Sequence, residues 1–337
     1  MSHRFLLVRL GSLGDVIHAI PTAAALRARF PEARIDWLVG PRYVPLLEMV
    51  RGIDSRIPVN TRRPVQTVST LRDLRHVGYT AVIDLQGLLK SALLARAVGA
   101  ERTIGFEREH LRERTAAPFY SHRVAPAGGA HVIFKNLALL EPLGPPPPRL
   151  VQVSFPLEIP HSPAADAVRA RFAGEPYAVI NPGAAWPNKR WPTDRFGALA
   201  AALRDRFGLR SLVLWGPGEE TLAEQVSSAS SGAAELAPPT AITDLFAIAR
   251  DARVLISGDT GPLHIGGAAG TPLVALFGPT LAERNGPWSA EDVVLSRTQG
   301  CVCLYRRRCR RGAPCIDEIQ LPEVIDAVER RLSRVPG

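Results

Sequence analysis

Apolar residues in this chain fall in short unbroken runs, not in alternation with polar ones. FLLVRL at 5–10, IDWLV at 35–39 and AVIDL at 81–85 lie in the first half; YAVI at 177–180, SLVLW at 211–215, VLIS at 254–257 and LVALF at 273–277 lie in the second. A continuous run of this length suits a strand buried on both faces, as in a parallel sheet. Between the runs, apolar positions recur at helical spacing over 16–30, 88–98, 131–141, 162–173, 194–207, 220–230, 242–250 and 262–269. A last amphipathic stretch covers 320–334. Strands alternating with helices predict an α/β protein with parallel sheets.

The pattern breaks once. Gly144-Pro145-Pro146-Pro147-Pro148 can neither continue a helix nor pair as a central strand. A fresh strand then opens at 177. The expectation is two Rossmann-like domains, 1–155 and 156–337, facing each other across an interdomain cleft, the default ligand site. A length of 337 residues agrees with two domains of ordinary size. With 46% hydrophobic and 22% charged residues the composition is globular and excludes a disordered chain. No apolar run approaches the roughly 20 residues of a membrane span, and the N-terminal run is too short for a signal peptide. A cytoplasmic location is expected.

Charge changes the picture. Residues 1–150 carry 21 Lys+Arg against 12 Asp+Glu, whereas 151–337 carry 20 of each. The whole excess of +9 sits in the first half, which implies an anionic partner there. The arginines are scattered, with no aromatic stripe and no nucleic-acid reader motif, so nucleic acid is not expected as a partner. A non-catalytic anion- or nucleic-acid-binding protein is the remote alternative.

Four strand ends carry candidate chemistry. Gly11-Ser12-Leu13-Gly14-Asp15 follows the first strand and opens a helix. Asp15 reads either as a helix cap or dipole partner, or as a carboxylate kept ionised by the helix N-terminus and able to take a proton from a hydroxyl. Lys189 lies in the Pro- and Gly-containing loop 181–192; in a chain with 38 Arg and 3 Lys it suits a point charge on a phosphate. Glu219 follows the strand at 211–215, where an acid can accept ribose hydroxyls. Ser257-Gly258-Asp259-Thr260-Gly261-Pro262-Leu263-His264 opens a helix whose N–H groups can cradle an anion. Asp259 and Thr260 read equally well as caps, and His264 as a core histidine. No Asp-x-Asp occurs in the chain, so a leaving diphosphate would be stabilised by Lys189 and this helix end, and no catalytic metal or cofactor is expected. Cys301, Cys303, Cys309 and Cys315 follow a C-x-C-x5-C-x5-C spacing, tighter than usual thiolate metal sites. They read as reduced thiols, with a structural metal as the alternative.

The segments VRLGSLGDVIHAIP, AVIDLQGLLKSAL, VINPGAAWPNKRWP, LWGPGEE and ISGDTGPLHIGGAAGTPLVALFGPT together resemble those of glycosyltransferase family 9, the bacterial ADP-heptose:lipopolysaccharide heptosyltransferases. The resemblance implies a GT-B fold and inverting, metal-independent transfer from ADP-L-glycero-D-manno-heptose to the lipopolysaccharide inner core. It implies work at the cytoplasmic face of the inner membrane by a protein expected to be a monomer. By matched position it implies Asp15 as general base, Lys189 on the donor phosphates and Glu219 on the ribose. It places Thr240 near adenine and Asp259, Thr260, Gly261 and His264 around the diphosphate and heptose. DLQGLLKSA is more similar to enzymes that add the first heptose, to Kdo on lipid A, where Arg62, Arg63, Arg112 and His131 fall near acceptor-binding positions. The cysteine segment is more similar to second-heptose members, so a second-heptose transferase, or a family 9 enzyme with another sugar or acceptor, is the alternative.

Overall fold

A computed structural model describes residues 3–127, 131–144 and 153–334. Pro145–Pro148, where the sequence places the break between domains, lies outside the described residues. The chain divides into two compact units, Met1–Glu158 and Ile159–Gly337.

The N-terminal unit holds six parallel strands: β1 (Arg4–Val8), β2 (Arg34–Val39), β3 (Ser55–Pro58), β4 (Ala81–Asp84), β5 (Arg102–Phe106) and β6 (His122–Val124), in the order β3-β2-β1-β4-β5-β6. Its helices are α1 (Leu13–Arg29), α2 (Val44–Glu48), α3 (Pro64–Arg75), α4 (Leu89–Ala97) and α5 (Val132–Ala138). The C-terminal unit repeats the plan with β7 (Tyr177–Asn181), β8 (Arg210–Val213), β9 (Ala234–Leu236), β10 (Val254–Gly258), β11 (Leu273–Phe277) and β12 (Val293–Ser296), in the order β12-β11-β10-β7-β8-β9. Its helices are α6 (Pro163–Arg171), α7 (Thr193–Phe207), α8 (Glu220–Ser228), α9 (Ile242–Asp251), α10 (Gly261–Ala269), α11 (Ala282–Asn285) and α12 (Leu321–Leu332).

Numbered within its own unit, each sheet runs 3-2-1-4-5-6, the doubly wound order. The cores explain it. Val8, Leu38 and Val82 are fully buried in the first sheet, and Ile180, Ile256 and Leu276 in the second. Helices cover both faces because no strand at the centre has a polar side to show water. Strand order reverses between β1 and β4 in one unit, and between β7 and β10 in the other. Ligands of open α/β sheets bind at the carboxyl ends of such a pair. Those four strand ends carry Asp15, the Asp84-Leu85-Gln86-Gly87 turn, the Lys189 loop and the Asp259–His264 segment. No helix among the described residues is long and apolar enough to cross a membrane.

Candidate active site

In the N-terminal unit β1 ends at Val8, two residues short of its apolar run, so Arg9 and Leu10 leave the sheet. Arg9 is buried and donates to the Leu85 carbonyl oxygen, and its Nη2 lies 2.5 Å from Asp15 Oδ1. The cap of α1 is Ser12, not Asp15, which stands three residues further on. Asp15 Oδ2 accepts from the Ser12 backbone N–H at 3.1 Å and the Ser12 hydroxyl at 2.9 Å. The carboxylate is therefore oriented from both sides, by the helix start and by a guanidinium, while its side chain stays 30% exposed. The capping role and an accessible base are compatible in one geometry. Arg9 escaped the sequence reading because it sits inside an apolar run; the signal was a charge within a strand-like segment.

At the end of β4, Asp84 is wholly buried. Its Oδ2 accepts from the Tyr120 and Ser91 hydroxyls, each at 2.8 Å, and its Oδ1 from the Gln86 N–H at 2.9 Å. Burial pushes its pKa up, and these hydrogen bonds only partly offset that. Asp84 thus ties down the turn that lets Gln86 Oε1 accept from Leu10 N–H at 2.8 Å, joining the β1 and β4 ends. Arg62, Arg63 and Arg112 are exposed; Arg63 lines a pocket of about 410 Å³ with Asn60, Gln66 and Thr67 beside α3. His131 caps α5, its Nδ1 accepting from Ile133 N–H at 3.2 Å, and packs edge-on against buried His18. Arg62 and Arg63 precede α3, Arg112 follows β5 and His131 precedes α5, so the four come from three different connections.

The C-terminal unit is wired more tightly. Asn181, the last residue of β7, donates from Nδ2 to Ser257 Oγ and Thr260 Oγ1 at 3.0 Å and to the Gly183 carbonyl at 3.1 Å. That fixes the Thr260 cap against the neighbouring strand end. Lys189 Nζ donates to Asp259 Oδ2 at 2.6 Å and to the Asp259 carbonyl at 3.2 Å, and lies over the Trp186 ring. Asp259 Oδ2 also accepts from Thr280 Oγ1 at 2.7 Å, and His264 Nε2 lies 3.4 Å from Oδ1. Burial opposes ionisation of Asp259, but His264 and the Lys189 ammonium outweigh it and hold the carboxyl far below the usual range. Two of the three Lys189 donors are thus spent on Asp259. The first-turn N–H groups of α10, beginning at Gly261, have no partner within the helix.

Glu219 Oε2 accepts from Gly216 N–H at 3.1 Å, and its carboxylate fills the space where a side chain on Gly183 would stand. Lys189, Asp259 and His264 thus share one network; Thr260, which precedes Gly261 at the start of α10, is held beside it by Asn181, and Glu219 stands against the β7 loop. Thr240 lies in the loop before α9, outside that network. Asn181 and Thr280 were missed: each was a polar residue beside an apolar run, and neither has local spacing to mark it.

The cysteines lie after β12. Cys303 and Cys309 sulfurs are 3.5 Å apart, and Arg310 N–H donates to Cys303 Sγ at 2.9 Å, which lowers that thiol's pKa. Burial, with Cys301 beside it, pushes Cys315 up to about 12. Among the described residues no group of three or more Cys, His, Asp or Glu is placed to hold a metal ion. The segment touches the network through the backbone: Asn188 Nδ2 donates to the Arg306 carbonyl at 2.8 Å, and Tyr305 N–H to that of Pro279 at 2.8 Å.

Two doubly wound units of six parallel strands, each with polar groups at its switch point, make up the architecture of the GT-B fold. Solved structures agree: the glycosyl transferase family 9 protein from Veillonella parvula superposes with a TM-score of 0.83 at 23% identity, covering 99% of this chain and 98% of that one. The E. coli heptosyltransferase WaaC with ADP gives 0.76 at 23% identity, covering 98% of each. The profile of glycosyltransferase family 9 (heptosyltransferase) matches residues 67–313. Lipopolysaccharide heptosyltransferase 1 of Pseudomonas aeruginosa is 31% identical, over 91% of this chain and 87% of that protein. Lipopolysaccharide heptosyltransferase 3 of Escherichia coli is 26% identical, over 95% of each. The chain belongs to glycosyltransferase family 9.

Proposed function

We propose that the protein transfers L-glycero-D-manno-heptose from ADP-heptose to the inner core of lipopolysaccharide. The C-terminal unit binds the donor, and the N-terminal unit binds the acceptor and supplies the base. The observation that carries this reading is the Lys189–Asp259–His264–Thr280 network at the β7/β10 switch point. It holds an ammonium beside an open helix N-terminus, where a diphosphate fits. The names of the relatives support heptose as the sugar.

The chemistry is a single in-line displacement. An acceptor hydroxyl attacks the anomeric carbon, its proton passes to Asp15, and ADP leaves from the opposite face. One carboxylate suffices, because no covalent sugar–enzyme intermediate forms. Charge growing on the leaving diphosphate falls on the third Lys189 donor and the first-turn N–H groups of α10. Glu219 takes the ribose hydroxyls. Arg62, Arg63 and Arg112 attract the carboxylates and phosphates of a Kdo–lipid A acceptor, and the heptosyltransferase 1 relative favours the first heptose.

Thermal-shift titration with ADP-heptose, UDP-sugars and GDP-sugars tests the donor. ADP-heptose alone should raise Tm; a larger shift with a UDP- or GDP-sugar sinks the heptose assignment. Transfer to Kdo–lipid A against an already heptosylated core then tests the position.

A further inference from the structure

Of the nine large apolar side chains exposed among the described residues, four lie on two neighbouring helices. These are Val65 (82% exposed) and Val68 (56%) on α3, and Leu89 (36%) and Leu93 (47%) on α4. The helices are tied together where Arg75 Nε donates to the Ala97 carbonyl at 2.6 Å. On α3 the inward stripe is Thr67, Thr70, Leu71 and Leu74, half or fully buried. Val65, Val68, Arg72 and Arg75 are exposed, at the spacing of one helical stripe. On α4 Ser91, Ala92, Leu94 and Ala95 are buried, while Leu89, Lys90, Leu93 and Arg96 are exposed.

The charges here are uncompensated. Arg62 and Arg63 precede α3, and with Arg72, Arg75, Lys90 and Arg96 they make six cations, none in an ion pair among the described residues. Asp73 is the one acid on the two helices. Elsewhere several arginines are paired, as Arg169 is with Asp166 and Asp251, and Arg331 with Asp292. A surface made only for a polyanion would not need four bare Val and Leu side chains. A soluble protein partner would be expected to supply acids. Apolar side chains standing among unpaired cations match the boundary between acyl chains and anionic headgroups.

We propose that the exposed stripes of α3 and α4 form a docking face for an anionic lipid bilayer. Val65, Val68, Leu89 and Leu93 enter below the headgroups, and Arg72, Lys90 and Arg96 meet lipid phosphates. The proposal extends the reading of a lipid-borne acceptor, and it is tested with no acceptor present. The full chain is sedimented with vesicles of phosphatidylglycerol and phosphatidylcholine, and with phosphatidylcholine alone. Binding should need phosphatidylglycerol and weaken as salt rises. Val65→Asp with Val68→Asp, and separately Arg72→Glu with Arg96→Glu, should each weaken it at least about tenfold. Leu304→Asp, an exposed apolar site on the other unit, should leave it unchanged. Each variant must keep the thermal shift given by ADP-heptose, which shows that it is folded and that donor binding stands apart from docking. Equal binding to neutral vesicles, no binding at all, full binding by either double variant, or tighter binding to duplex DNA than to vesicles overturns the proposal.

Discussion

The two units share a strand order and place their polar groups at the same switch point, yet they treat those groups differently. In the C-terminal unit Asp259 and His264 are buried, and Asn181, Lys189 and Thr280 are bonded across strand ends. In the N-terminal unit Asp15 is held by Arg9 and Ser12, but Arg62, Arg63 and Arg112 stand exposed, their side chains in no ion pair among the described residues. A preorganised network suits a small rigid ligand whose charges sit at fixed places. A loose field of arginines suits a large anionic ligand that arrives on a surface and is held by many weak contacts. Under the proposed function the same scaffold serves precision in one half and capture in the other.

The sharpest way to break this division is at Asp15. Asp15→Asn keeps an oxygen for the Ser12 N–H but removes the base. It should lower kcat by roughly 10²–10⁴-fold while donor affinity and Tm stay near wild type. A pure cap would hardly notice, since Asn caps about as well as Asp. Near-normal kcat in this variant would return Asp15 to a structural role.

The next test separates wiring from chemistry in the C-terminal unit. Lys189→Ala removes an ammonium from a buried carboxylate. It should cost stability toward the lower end of the roughly 3–5 kcal/mol of a broken buried pair, because Thr280 and His264 remain. It should also abolish the ADP-heptose thermal shift. The sign with pH follows from Asp259. Its folded pKa is depressed, so its contribution is present above the ordinary value of about 3.9 and is lost as pH falls through the lower folded value. Without Lys189 the depression shrinks, so the acid-side loss of Tm should be smaller and should level off at higher pH, its onset still set by the unfolded carboxyl. A Tm-against-pH curve parallel to wild type refutes the pair.

Glu219→Ala should raise donor KM about tenfold, leaving acceptor KM alone. Gly183→Ala should do nearly the same, because its methyl group takes the space of the Glu219 carboxylate. If the two act through one contact, the double variant is no worse than either single one. Additive losses would uncouple Gly183 from Glu219.

How much of this was legible depended on burial. The seven apolar runs correspond to β1, β2, β4, β7, β8, β10 and β11, all interior strands. Of the five strands without a run, β3, β6, β9 and β12 are the sheet edges. An edge strand with a half-exposed face, such as SRIP or AEL, keeps too few apolar residues to register. β5 is interior but reads RTIGF; its Gly105 is required because the Tyr120 ring packs where a side chain would go. The site divides the same way. Asp15, Lys189, Glu219 and Asp259 stood out because each follows a strand. Their partners did not, since Asn181 meets Thr260 across 79 positions and Lys189 meets Asp259 across 70. Only the sheet brings such positions together.

The smallest expected effect tests the capture half directly. Arg63 is exposed, lines the pocket beside α3 and is in no ion pair among the described residues, so its attraction to an anionic acceptor acts through solvent. Arg63→Glu should therefore raise acceptor KM only several-fold, roughly 3–10-fold at low salt, as exposed charge pairs do. The ratio to wild type should shrink as ionic strength approaches ~0.5 M, where screening acts within about 4–5 Å. Donor KM and kcat should not move. The opposite pattern, with donor KM raised and acceptor KM spared, would place the donor on the N-terminal unit and reverse the division of labour. A loss that salt does not diminish would mean that Arg63 makes a close, desolvated contact, and the field of loose arginines would then be a built site.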